Sequence, residues 1–147
     1  MNRTLIVLIL AVIVLSWNFV FTDKQVGLTD EARILQGLST ALPYKTAIAD
    51  YWIKNGVLPA EADWQKSGTV INPDLSQTIV ASIDVGVDGP GVISVHYTAR
   101  SGLEAPERIA GKNINLIPSI VNARVEWICK GTLEPALLPK NCTALPR

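Results

Sequence analysis

The sequence predicts an α+β protein: a long N-terminal helix, membrane-spanning in its first half and amphipathic in its second, packed on a four-stranded antiparallel sheet with a disulfide-closed C-terminal loop. Three observations predict it. An uncharged apolar run opens the chain, apolar residues at helical spacing follow it, and beyond Thr78 the apolar period changes from helical to two.

From Thr4 to Phe21 the chain reads TLIVLILAVIVLSWNFVF, without charge or proline. Roughly 18 residues give about 27 Å of helix, enough to cross the hydrocarbon of a bilayer. The run ends in Trp17, Asn18, Phe19, Val20 and Phe21, where a signal peptidase needs small residues. Those aromatics suit a membrane–water interface, so residues 1–22 are expected to be a retained anchor. Arg3 ahead of the run favours a cytoplasmic N-terminus, which places a globular head, residues 23–147, on the far side.

Thr29 or Asp30 can cap the second helical pattern, with Asp30 and Glu31 in the first turn, where the helix dipole favours acids. Ile34, Leu38, Ala41, Ile48 and Trp52 recur on one face, with Leu35, Leu42 and Tyr51 beside them. Lys45 interrupts that face. Pro43 removes a backbone donor and is expected to kink a helix of residues 30–55, which Asn55 and Gly56 end. From Val57 to Gln77 there is no steady period, and Pro59, Gly68 and Pro73 mark a long loop tethered by Trp64.

Strict alternation then begins. Ile79, Ala81, Ile83, Val85 and Val87 are expected inward, and Ser82, Asp84 and Gly86 outward. Asp88, Gly89, Pro90 and Gly91 turn the chain into a second strand with Ile93, Val95 and Tyr97 inward. Ile114 and Leu116 suggest a third strand stopped by Pro118, and Arg124 to Cys129 a fourth, with Val125, Trp127 and Cys129 on one face. Such clean alternation implies a sheet covered on one face only, the cover being the amphipathic helix. The expected structural core therefore includes Tyr51, Trp52, Ile83, Val95 and Trp127. The tail from Lys130 to Arg147 has prolines and no period, so it is expected to be held to the last strand by Cys142.

Composition excludes whole classes of function. Thirteen basic and thirteen acidic residues cancel, and no Lys/Arg stripe appears, so no nucleic-acid partner is predicted. The two cysteines, Cys129 and Cys142, are too few for a metal site with the lone His96 far away in sequence. A bridge between them closes a modest loop, contributes about 3 kcal/mol, and persists only in an oxidising compartment. No phosphate-cradling glycine loop occurs. Strand parity puts His96 on the outward face near Ser82, Asp84 and Ser94, but without a nucleophile elbow or an oxyanion-hole glycine run these read as solvated residues. No catalytic residue, metal ligand or cofactor is assigned, and the chain is not expected to be an enzyme.

Three passages resemble the type IV pilins, particularly the type IVa group of Gram-negative bacteria. Ala32 to Pro59 is similar to the pilin helix that ends in a K-x-A…Y…N-G-x-x-P pattern, met here by Lys45, Ala47, Tyr51, Asn55, Gly56 and Pro59. The hairpin SQTIVASIDVGVDGPGVISVHYT resembles the first two strands of the pilin sheet. Val125 to Cys142 resembles the family's closing W-x-C…L-P-x-x-C stretch through Trp127, Cys129, Leu138, Pro139 and Cys142. The resemblance implies a structural subunit, major or minor, of a type IV pilus or fimbrium serving cell adhesion or motility. It implies inner-membrane lipid, other pilin subunits and pilus assembly proteins as partners. It also implies an inner-membrane location with a periplasmic head, and a pilus or cell-surface destination. At the N-terminus Thr4, Leu5 and Ile6 match the pilin T-L-I, but Arg3 stands where the first mature residue falls and Val7 where a glutamate falls. No glycine precedes them, so the usual prepilin leader and cleavage site are not expected here. The alternative is a non-polymerising, membrane-anchored accessory protein whose pilin head binds a pilus component or an extracellular ligand.

Overall fold

The computed structural model describes residues 30–100 and 103–146. The expected anchor, residues 1–22, lies outside them. Among the described residues no helix is long and apolar enough to cross a membrane.

The helical spine comes in two pieces. Residues 30–39 form α1, and Leu42–Asn55 form α2. Between them Thr40 and Ala41 donate their N–H groups to Gly37 and Leu38, a tightened turn. Pro43, at the head of α2, accounts for the break. It has no N–H to give to a preceding turn, and its ring would strike the carbonyl four residues back. The kink expected at Pro43 is thus a full interruption just ahead of it. At the other end Gly56 takes φ 72° and donates to the Trp52 carbonyl, closing α2 as a left-handed cap. The segment expected to be loop contains α3, Glu61–Lys66, with Glu61 and Asp63 in its first turn and Lys66 in its last. A helix this short is too brief to show a period, but its charges complement its dipole.

Among the described residues seven strands follow: β1 Val80–Val85, β2 Ile93–Tyr97, β3 Ala99–Arg100, β4 Leu103–Glu104, β5 Asn113–Val121, β6 Arg124–Gly131 and β7 Cys142–Ala144. The main sheet has five strands in the order β1-β2-β5-β6-β7, and β3 and β4 form a separate two-stranded ribbon. All main-sheet pairs are antiparallel except β6 with β7. The expected four-stranded antiparallel sheet is therefore corrected to five, the addition being a parallel edge strand drawn from the tail.

Three local expectations also change. The ladder between β1 and β2 slips at Ala81, so Val80 pairs with Tyr97 and Ile83 with Val95. That bulge makes Val80 rather than Ala81 the buried residue, while Val87 is exposed in the turn beyond the strand. Pro118 does not stop β5, which runs on to Val121. Pairing with β2 ends at Leu116, so beyond it β5 has a neighbour on one side only, and a residue without an N–H is tolerated there. The turn from β5 to β6 uses Asn122 and Ala123 at φ 47° and 56°, the left-handed pair that a tight hairpin of this twist requires.

The core lies between the spine and one face of the sheet. Ile34, Ala41, Tyr44 and Ile48 meet Val80, Ile93, Val95, Tyr97, Ile114 and Leu116. Leu35 and Leu42, expected beside the buried face, are exposed. At Gly37 a Cβ would come within 2.7 Å of a Val80 methyl and 2.9 Å of the Tyr97 ring. The tail, aperiodic in sequence, buries Leu133, Leu137 and Leu138 in the same core.

Gly37→Ala separates helix propensity from packing. On propensity alone it stabilises α1 by about 1 kcal/mol. With α1 seated on β1 and β2 it destabilises the fold by about 1–3 kcal/mol, as overpacking does. Chemical denaturation is expected to show the loss.

Candidate functional site

The five residues assigned to the core take different places. Val95 is fully buried, Ile83 and Trp127 pack half-buried against the core, and Tyr51 and Trp52 are half-buried near the end of α2. Tyr44 and Ile48 are the α2 residues that reach the centre. Tyr44 also meets the Trp64 ring, centroids 6.4 Å apart, and donates its hydroxyl to the Ile71 carbonyl, which ties the α3 segment to the spine. Burial, and then the Asp84 carboxylate, push the Tyr44 phenol above its usual pKa.

Cys129 and Cys142 form a disulfide, with Cα atoms 4.4 Å apart. The two residues are direct partners in the β6–β7 ladder. The bridge therefore sets the register of the edge strand as well as closing the tail. Beside it, between the spine and the sheet, lies a groove of about 570 Å³ lined by Leu35, Leu38, Trp127, Pro139 and Lys140 among others. Lys45 also lines it, its ammonium 5.2 Å from the centroid of the Trp127 ring. Partial burial lowers the Lys45 pKa. A lysine that interrupts an apolar helical face thus keeps its place by laying its charge on an aromatic face.

A second tie was not legible in the sequence. Arg108, in the turn before β5, donates two hydrogen bonds to Asp30 at the start of α1. The Asp30 side chain is only 3% exposed, the Arg108 side chain 41%. Asp30 reads locally as a helix-start residue, and nothing in the sequence marks a partner so far along the chain.

On the opposite face of the sheet His96 Nε2 lies 3.2 Å from Asp84 Oδ2, and Ser82 Oγ lies 3.4 Å from the same oxygen. The serine and the histidine thus converge on the carboxylate instead of forming a relay. A hydroxyl bonded to an acid and not to an imidazole lacks the general base that would activate it. Nearby, Asp88 accepts from the buried Ser94 hydroxyl and from the Asn115 amide, which pins the β1–β2 turn to the sheet. Among the described residues no group of three or more His, Cys, Asp or Glu is placed to hold a metal ion.

The spine leaves one more feature. Leu42 and Ile53 are 59% and 71% exposed on the side of α2 away from its buried Tyr44 and Ile48, and Leu35, at the rim of the groove, is 46% exposed.

The described residues thus form a helical spine on a mostly antiparallel sheet, its edge strand latched by a disulfide. The family model for pilins, the subunits of a bacterial filament, matches residues 31–143, and the chain belongs to that family. The family is structural and not enzymatic. No curated protein matches the sequence.

Two measurements check this geometry. Replacing both Cys129 and Cys142 by Ser is expected to cost about 3 kcal/mol in a non-reducing buffer, following the loop-closure argument. Arg108→Ala leaves the Asp30 carboxylate buried without its partner and is expected to cost on the order of 3 kcal/mol. An unchanged denaturation midpoint for Arg108→Ala would mean that α1 does not depend on the pair.

Proposed function

We propose that the chain is a subunit of a type IV pilus, building filaments of the adhesion or motility kind. In this reading residues 1–22 hold it in the inner membrane before assembly. Residues 23–147 form the periplasmic head, including the helical stretch 30–55, and the assembled subunit stands at the cell surface. Its partners are inner-membrane lipid, other pilin subunits and the proteins that assemble them.

The observation that carries the reading is the outer face of the spine. Ala32, Leu35, Ser39, Leu42, Thr46 and Ile53 are all exposed, with Ala49 half-buried among them. Their spacing alternates between three and four residues, the seam along which one helix packs against another. Leucines and an isoleucine left in water on a helix already packed on its other side mark a surface that something covers. The small residues between them let a second helix come close. Family membership supports another pilin subunit as the cover. A filament needs such a contact to be heterologous, so that each added copy exposes the same surface again.

The test expresses the full chain with a type IV assembly system and follows it into sheared surface fractions. The native chain is expected there. Leu42→Asp is expected to be lost from the sheared fraction by tenfold or more, with the thermal midpoint of the head unchanged because Leu42 touches no core. A native chain that stays wholly with the inner membrane would replace this reading with the non-polymerising accessory protein.

A further inference from the structure

The face of the sheet turned away from the spine carries a second bare surface, unrelated to the helices. Leu116, Trp127 and Cys129 line the groove beneath the spine, so their alternate neighbours Ile117, Glu126, Ile128 and Lys130 point to the opposite face. Ile117 and Ile128 are direct cross-strand partners, and Ile128 is 49% exposed. Toward β1 and β2 this face is polar and satisfied within the chain: Ser82 and His96 bond Asp84, Ser94 and Asn115 bond Asp88, and Asn113 bonds Asn115, while Val121, 37% exposed, adds one more apolar residue at the far end of β5. An isoleucine pair is out of place there unless something covers it.

The charges around it identify the cover. Along β6 the outward residues are Arg124, Glu126, Ile128 and Lys130 in sequence order. Among the described residues neither Glu126 nor Lys130 has an oppositely charged group within 4.0 Å. The acid and the base sit two residues to either side of Ile128, each about 7 Å from it along the strand. We infer that this face docks a second copy of the same chain about a two-fold axis that crosses β6 at Ile128. The axis runs the two β6 strands antiparallel, places Ile128 against its own copy, and sets each Glu126 against the other copy's Lys130. A pattern of acid, apolar, base is complementary to itself under that operation and to no parallel arrangement. The patch is far smaller than the roughly 800 Å² per partner of stable complexes. The contact is therefore weak between free molecules and gains occupancy where copies are held at high local concentration. It does not depend on the filament reading, since it uses the opposite face of the head.

Charge exchange tests it. The full chain in detergent is followed by sedimentation equilibrium at low ionic strength, and a zero-length amine–carboxylate cross-linker locates the contact in a mixture of isotope-labelled and unlabelled copies. Lys130→Glu turns two attractive pairs into two repulsive ones and is expected to weaken self-association about tenfold. Glu126→Lys combined with Lys130→Glu rebuilds both pairs and is expected to return it to within about threefold of the native chain. The native chain is expected to yield a mixed-isotope peptide joining Glu126 to Lys130. A monomer at every concentration, association unaffected by Lys130→Glu, or a double variant no better than the single one overturns the inference. None of these outcomes bears on entry into sheared filaments, which tests the other surface.

Discussion

The close approach of α1 to the sheet at Gly37 is the constraint on which the rest of the head depends. With no Cβ at that position the helix settles onto Val80 and Tyr97, and the Tyr97 hydroxyl, buried beneath it, donates to the Ile34 carbonyl. A buried phenol needs such a partner, and burial accordingly raises the Tyr97 pKa far above its usual value. These contacts fix the helix in rotation as well as position. Once Ile34 and Gly37 face the sheet, Leu35 is turned to the rim of the groove, and in α2 the burial of Tyr44 and Ile48 turns Leu42 and Ile53 outward in the same way, because successive residues on a helix lie about 100° apart. The bare apolar stripe is thus a consequence of the core geometry and not an independent surface feature.

The tail obeys a second constraint. Parallel neighbours normally need a long crossover, because the chain must return to the starting end of the strand. Here β7 pairs only with the last three residues of β6, from Cys129 to Gly131, so the return is short. Three residues make a weak strand at an open edge. The disulfide between the first ladder pair supplies what ladder length does not, and Leu133, Leu137 and Leu138 fill the core beneath the connection. Gly131 has its own part in this. A Cβ there would lie 2.9 Å from a Leu138 methyl and 3.1 Å from the Asn113 carbonyl, so the tail folds back over a residue that has no side chain to displace.

What could be read from the sequence followed how local each interaction is. The helical spacing of Ile34, Ala41 and Ile48 and the period-two run through Ile93, Val95 and Tyr97 are set by neighbours a few residues apart, and both were legible. The bulge at Ala81 was not, because alternation in the residues says nothing of where two strands slip. Ala123 is an unlikely residue for a left-handed turn, and only the β5–β6 ladder on either side imposes it. Pro118 reads as a stop until the extent of β2 is known. The Asp30–Arg108 clasp joins residues 78 positions apart, beyond any local pattern. The pilin resemblance, by contrast, carried the closing Trp127–Cys129–Cys142 passage without any geometry at all.

The two bare surfaces lie on opposite sides of the sheet, and symmetry assigns them different work. A stripe that packs against a different part of the next copy leaves its counterpart open at each step, so it propagates. A two-fold contact satisfies both partners at once and closes at two copies. The isoleucine patch on β5 and β6 therefore cannot extend a filament by itself, and the helical stripe cannot limit one. If both operate, growth runs along the spine side while the sheet side joins copies in pairs. A weak, salt-screened pairing suits that division, because lateral contacts summed over many subunits hold firmly while each single one remains reversible.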